Sequence, residues 1–132
     1  MSHFTRVKTE ITDLGCLLEA LADMGFDEVE TGTNLGLYGY EGRLREERAD
    51  VVIRRKFVGS ASNDIGFHLE PDGTYQAIVS EYDGRIRPKF LQEVTQRYAY
   101  HVVTRGAEAQ GFTIDSEEVQ QDGSIKLICT QW

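Results

Sequence analysis

Over residues 4–11, Thr5, Val7, Thr9 and Ile11 fall on one side of an extended chain and Arg6, Lys8 and Glu10 on the other. A period of two predicts a strand with one wetted face. The period then changes. Leu14, Leu17, Leu18 and Leu21 follow the spacing of a single helical stripe, with Thr12 or Asp13 placed to cap its start and Gly25 to stop it.

Beyond residue 27 the pattern loosens into a short extended piece. Gly32, Gly36, Gly39 and Gly42 then surround Tyr38 and Tyr40, which predicts a loop or an edge strand. After the charged residues 43–50, Val51-Val52-Ile53 opens a strand that runs into Arg54-Arg55-Lys56. Past a polar stretch at 59–63, Ile65, Phe67 and Leu69 alternate with Gly66 and His68. Glu70-Pro71-Asp72-Gly73 then predicts a hairpin turn into a strand over 74–82. Pro88 opens a long helix to about residue 110, with Leu91, Val94, Tyr98, Val102 and Ala109 on one stripe, and Gly111 ends it. Two last strands, 112–119 and 124–130, turn at Gln121-Asp122-Gly123.

Together these elements predict an α+β fold: one mainly antiparallel sheet with two helices on one face, in a single domain over residues 1–132. Each helix ends in a Gly-Phe step, Gly25-Phe26 and Gly111-Phe112, which suggests duplicated β-α-β-β halves.

Charge narrows the function classes. Fourteen Lys and Arg against 22 Asp and Glu give a formal charge of −8, which repels polyphosphates and makes a nucleic-acid partner unfavourable. Two cysteines do not make a disulfide framework, so a reducing compartment is expected. No apolar stretch approaches the length of a membrane span, and no signal-type apolar segment is expected near the start.

The chemistry-bearing residues do not assemble a recognisable catalytic motif. His3, His68, His101, Cys16 and Cys129 lack the short spacings that set two metal ligands on one turn, so no metal is expected. The glycines of residues 32–42 lack the Gly-Lys-Ser/Thr ending of a phosphate loop, so no cofactor is expected either. No Ser, Cys or Lys is tied by spacing to a base, which argues against an enzyme. Cys16 lies opposite the leucine stripe and is expected to be an exposed, inert thiol, whereas Cys129 is in phase with Ile125 and Leu127.

Two binding surfaces are candidates. Arg105 falls near the centre of the second helix's stripe, where with Tyr98 and His101 it could line a pocket for a small acidic ligand. Tyr38, Tyr40, Arg54, Arg55 and Lys56 form an aromatic and basic group suited to a protein partner. The same composition also holds single-stranded RNA, but Glu41, Glu46, Glu47 and Asp50 are interleaved with it.

A set of short motifs recurs in a recognisable order: Met1-Ser2-His3-Phe4-Thr5, Ala49-Asp50-Val51-Val52-Ile53, Asp64-Ile65-Gly66-Phe67, Gln96-Arg97-Tyr98-Ala99, Gln110-Gly111-Phe112 and Asp122-Gly123-Ser124-Ile125. Over nearly the whole chain it resembles the hypothetical chloroplast reading frame thirty-five family, a domain of unknown function in cyanobacteria and algal plastids. The resemblance implies a photosynthetic lineage and a cyanobacterial cytoplasm or plastid stroma, and brings no catalytic residues. The combined expectation is an uncharacterised, non-enzymatic accessory or assembly protein that binds another protein. The rival readings are a small-molecule sensor and an RNA-binding module.

Overall fold

The computed structural model describes residues 3–121 and 124–131. Its elements are β1 (Phe4–Lys8), α1 (Leu14–Asp23), β2 (Val29–Tyr38), β3 (Leu44–Ile53), α2 (Arg55–Val58), β4 (Ile65–Leu69), β5 (Tyr75–Ser80), α3 (Glu81–Ile86), α4 (Phe90–Ala109), β6 (Phe112–Val119) and β7 (Ile125–Gln131). The fold is α+β with antiparallel pairing throughout, as the alternating runs and hairpin turns require. The chain divides into two compact units, one from residues 1–12 and 25–90, the other from 13–24 and 91–132.

The first unit is a five-stranded sheet in the order β1-β5-β4-β3-β2. Its first strand is shorter than alternation predicts. Thr9 Oγ1 donates to the Tyr75 carbonyl and accepts the Ile11 amide at 3.2 Å, which turns the chain off the edge and lets Ile11 be buried. The glycine-rich residues expected as loop or edge are the edge strand β2, with register breaks at Thr31/Leu35 and Gly36/Tyr38 and Asn34 at φ 52°. The charged residues 44–50, expected ahead of a strand, are strand themselves, because β3 takes its ladder from β2 irrespective of side-chain polarity.

Strand β5 ends early, at Ser80, because the Ser80 hydroxyl accepts the Asp83 amide at 3.0 Å and starts the short helix α3. The central strands are buried on both faces: Val51, Ile53, Ile65, Phe67, Ala77 and Val79 fall on one side of the pleat, and Leu37, Ala49, Val52 and Ile78 cluster with Phe4 and Leu35. Gly66 is required by that second cluster. A Cβ there would lie 2.7 Å from Ala49 Cβ and 3.1 Å from both Leu37 methyls. Gly66→Ala is therefore expected to cost about 1–3 kcal/mol by overpacking, measured as a lower midpoint of urea unfolding; an unchanged midpoint would show that Leu37 moves aside freely.

The second unit contains α1, α4 and the hairpin β6–β7, which among the described residues forms a two-stranded sheet of its own. Helix α1 starts as expected: Asp13 Oδ1 accepts the Cys16 amide at 2.9 Å, and Gly25 (φ 94°) lies one residue past the Met24 C-cap. Cys16 was expected at the surface and is instead 1% exposed, so the apolar face of α1 is wider than its leucines. Burial, then the nearby Asp13 carboxylate, push its thiol above the usual range, which disfavours the reactive thiolate. Along α4 the stripe is buried at Val94 and Tyr98, but Val102 is 41% exposed.

Both expected halves show strand, helix and hairpin in that order, but they are not equivalent. Hairpin β2–β3 joins a five-stranded sheet, whereas β6–β7 stands as a two-stranded one. The turn residues Asp122-Gly123 and the side chain of Cys129 lie outside the described residues.

Candidate functional site

Four of the five residues singled out in the sequence, Tyr38, Tyr40, Arg54 and Arg55, come together near the β2–β3 turn. Tyr38 pairs across the ladder with Leu44, and Tyr40 stands in the turn that follows; the three are 40%, 52% and 40% exposed in that order. The turn closes through Gly39 N–H to Arg43 O at 2.9 Å, with Gly42 at φ 79°.

Beneath this exposed end lies a buried polar frame. Asp64, 0% exposed, accepts the Tyr38 amide (2.8 Å) and Arg54 Nη1 (2.8 Å) on Oδ2, and the Arg55 amide (2.7 Å) on Oδ1. Asn63 accepts the Tyr40 amide at 2.9 Å and donates Nδ2 to Ser80 Oγ at 2.9 Å and Asp83 Oδ2 at 3.0 Å. One carboxylate and one amide thus fix the backbone at both tyrosines. Neighbouring hydrogen bonds of this kind reinforce one another where water is excluded.

Arg54 is held on every side. It forks onto Glu30 at 2.6 and 3.0 Å, reaches Asp64 and the Gly36 carbonyl at 2.8 Å each, and lies 5.7 Å over the Tyr38 ring. Its hydrogen bond to Glu30 raises its pKa, and in return holds the Glu30 carboxyl below the usual carboxylate range against a smaller opposing effect of burial. Arg54 is therefore a neutralised clamp and not a free cation. Arg55 donates to the Tyr40 and Ser62 carbonyls, and Lys56 stands exposed, 4.9 Å over the Phe57 ring.

In the second unit, Tyr98, His101 and Arg105 all face groups of the same unit. The Asp13 amide donates to Tyr98 Oη at 3.0 Å. His101 is flanked on both ring nitrogens, by Glu19 at 2.8 Å and Asp23 at 2.6 Å. Arg105, expected to line a pocket for an acidic ligand, meets carboxylates of the chain itself, Glu19 and, at 3.9 Å, Asp13. Arg97 completes the row on Asp23 at 2.8 Å. Positions 97, 101 and 105 recur every four residues, so three side chains of one α4 face meet the acids of α1.

That row makes a pH prediction. Burial alone would raise the Asp23 pKa, but hydrogen bonds from His101 and Arg97 outweigh it and the net shift is downward. A depressed folded value means that the stabilisation is present above the unfolded value of 3.8 and is lost as pH falls through the lower folded one. Wild type should therefore lose more unfolding free energy between about pH 5 and pH 3 than Asp23→Asn. Equal acid losses in urea titrations would rule this out.

Among the described residues no group of three or more His, Cys, Asp or Glu is arranged to hold a metal ion, and no helix is long and apolar enough to cross a membrane.

A family described as "Protein of unknown function (DUF1257)" matches residues 20–128. The chain belongs to this family. It is 31% identical over 135 residues to the uncharacterized protein ycf35 of Pyropia yezoensis, covering 100% of this chain and 98% of the relative. The proteins of that name from Guillardia theta and Cyanophora paradoxa are 31% and 30% identical, again with 100% of this chain and 98% of the relative covered. These relatives come from algal plastids, in agreement with the family that the ordered motifs resemble. No solved structure matches the chain significantly.

For this family member, sequence reasoning found the exposed tyrosines and missed what holds them. Ser80-x-x-Asp83 has the spacing of a helix-capping box and was legible as one. Asn63, read as the end of a polar stretch, and Asp64, named only within a family motif, gave no signal of burial, because a buried acid and a loop acid are written with the same letter.

Proposed function

We propose that the chain is a non-enzymatic protein-binding module, an accessory or assembly factor of the cyanobacterial cytoplasm or plastid stroma, and that the end of the β2–β3 hairpin is its binding surface. The observation that carries this reading is the exposure of Tyr38, Tyr40 and Leu44 on a backbone fixed by buried Asn63 and Asp64. Exposed tyrosines on a rigid backbone lose little conformational freedom on binding, and Tyr and Arg dominate the energetics of protein interfaces.

RNA binding is less well supported. The chain carries −8, and Arg54, the best-placed cation, already has two carboxylates. The sensor reading loses support for a related reason, because Arg105 is already paired with Glu19.

The test is a double variant, Tyr38→Ala with Tyr40→Ala. It should weaken retention of a co-isolated protein partner by tenfold or more, on the order of the loss of one hot-spot residue, while the melting temperature changes little. Unchanged retention would move the binding surface elsewhere.

A further inference from the structure

Helices α1 and α4 of the second unit meet through a row of charged side chains, one of which can change its charge. Arg97, His101 and Arg105 follow one another at one-turn intervals along α4, and Asp13, Glu19 and Asp23 face them from α1 and its cap. The approach is close. A Cβ added to Gly15 of α1 would lie 3.1 Å from Arg105 Nη1. Both outer cations of the row are guanidinium groups, which keep their charge at any pH a folded protein meets. The middle one is an imidazole.

His101 has a carboxylate at each ring nitrogen: Nε2 lies 2.6 Å from Asp23 Oδ2 and Nδ1 lies 2.8 Å from Glu19 Oε2, with 16% of the side chain exposed. Each acid is shared. Asp23 Oδ2 also accepts from Arg97 Nε at 2.9 Å, and Glu19 Oε1 pairs with Arg105. A neutral imidazole carries one N–H and one lone pair, so in either tautomer a lone pair would face a carboxylate oxygen at hydrogen-bond distance and be repelled. Only the imidazolium presents a proton to both. The carboxylates of Asp13, Glu19 and Asp23 then meet the cations of Arg97, His101 and Arg105, and without that proton they meet only the two arginines. Neither helix holds another cation to replace it. Tyr100 stands edge-on to the ring at 5.0 Å, and Glu93 and Glu108 of α4 are exposed and join no ion pair among the described residues.

We propose that His101 is a proton-dependent latch between α1 and α4: doubly protonated, it ties Glu19 and Asp23 to α4, and loss of that proton as pH rises frees the Glu19 side. Glu19 is the side that opens, because its carboxylate is 42% exposed and can turn to water, whereas Asp23, 29% exposed, keeps Arg97 and the remaining ring N–H. The sign is opposite to that of Asp23, whose own contribution is lost as pH falls. The seam is therefore tightest in a window closed on the acid side by a carboxylate and on the alkaline side by an imidazole.

The test follows the His101 ring nitrogens of the full chain by proton–nitrogen NMR between about pH 5 and pH 8.5, the range in which histidine is the side chain that changes charge. In the same samples, amide hydrogen exchange of residues 16–23 is measured as protection relative to an unfolded chain at each pH. Protection should fall about threefold as the ring passes from two N–H groups to one, as for loss of one partly exposed ion pair. In Glu19→Gln the ring should still change, but the fall in protection should vanish, because the Gln amide can donate to the neutral Nδ1. In His101→Gln the fall should vanish while His3 and His68 go on titrating. A fall that survives in His101→Gln, a ring that changes with α1 protection constant, or a ring that keeps one protonation state over the whole range would each overturn the inference.

Discussion

Replacing Asp64 by Ala is expected to destabilise the protein by about 3–5 kcal/mol, the cost of removing one partner from a buried ion pair and leaving the other charge behind. Asp64 is 0% exposed, and the Arg54 side chain it neutralises is 21% exposed. The loss also strands the amides of Tyr38 and Arg55, which donate only to this carboxylate among the hydrogen bonds of the hairpin end. Asp64→Asn keeps an acceptor and should cost less. The measurement is the free energy from urea unfolding, with partner binding read in parallel, since the frame under Tyr38 loosens in both variants. A loss below about 1 kcal/mol for the alanine variant would mean that Glu30 alone satisfies Arg54, as at an exposed pair.

Phe67→Ala should cost a similar amount, about 3–5 kcal/mol, through a different mechanism: lost transfer energy and the cavity left behind. Phe67 heads the fully buried side chains and sits on β4 between Val51 of β3 and Ala77 of β5. Its neighbours are held in ladders and cannot collapse into the space. Most small domains have only about 5–15 kcal/mol in total, so either substitution is expected to lower the unfolding midpoint sharply. Phe67→Leu separates the two mechanisms, since it should recover much of the loss without restoring any polar contact. If Leu is as damaging as Ala, shape and not volume governs that site.

The α+β class was legible because alternation at 65–69 and 75–80 brackets Pro71-Asp72-Gly73, and because the leucines of α1 keep helical spacing. Chain pattern reports burial through polarity, so it fails where polarity and burial part company. Residues 44–50 carry charges yet lie in β3, and Asp64 and Asp83 carry charges yet are almost fully enclosed. The candidate surface was legible in Tyr38 and Tyr40, whose exposure follows from a glycine-rich edge. It was not legible in Arg54, whose two carboxylate partners lie 24 and 10 residues away. The wheel position of Arg105 suggested a pocket for an acidic ligand. Only the folded chain shows that Glu19 lies beside it, because nothing local in sequence states which face of α1 meets which face of α4.

The interleaving of the two units sets the order in which this chain becomes stable as it is made. The Thr5 hydroxyl bonds a carbonyl 74 residues later, and Asp23 waits for His101, 78 residues on. At the usual elongation rate of about 5–20 residues per second, both ends of the early chain spend several seconds without their final neighbours. The β2–β3 hairpin, whose contacts are local, is the piece a growing chain can form soon after it emerges. A fragment ending at residue 90 would carry α1 away from α4, and one starting at 91 would lack α1 altogether. Neither unit can therefore be obtained intact by a single cut of the chain.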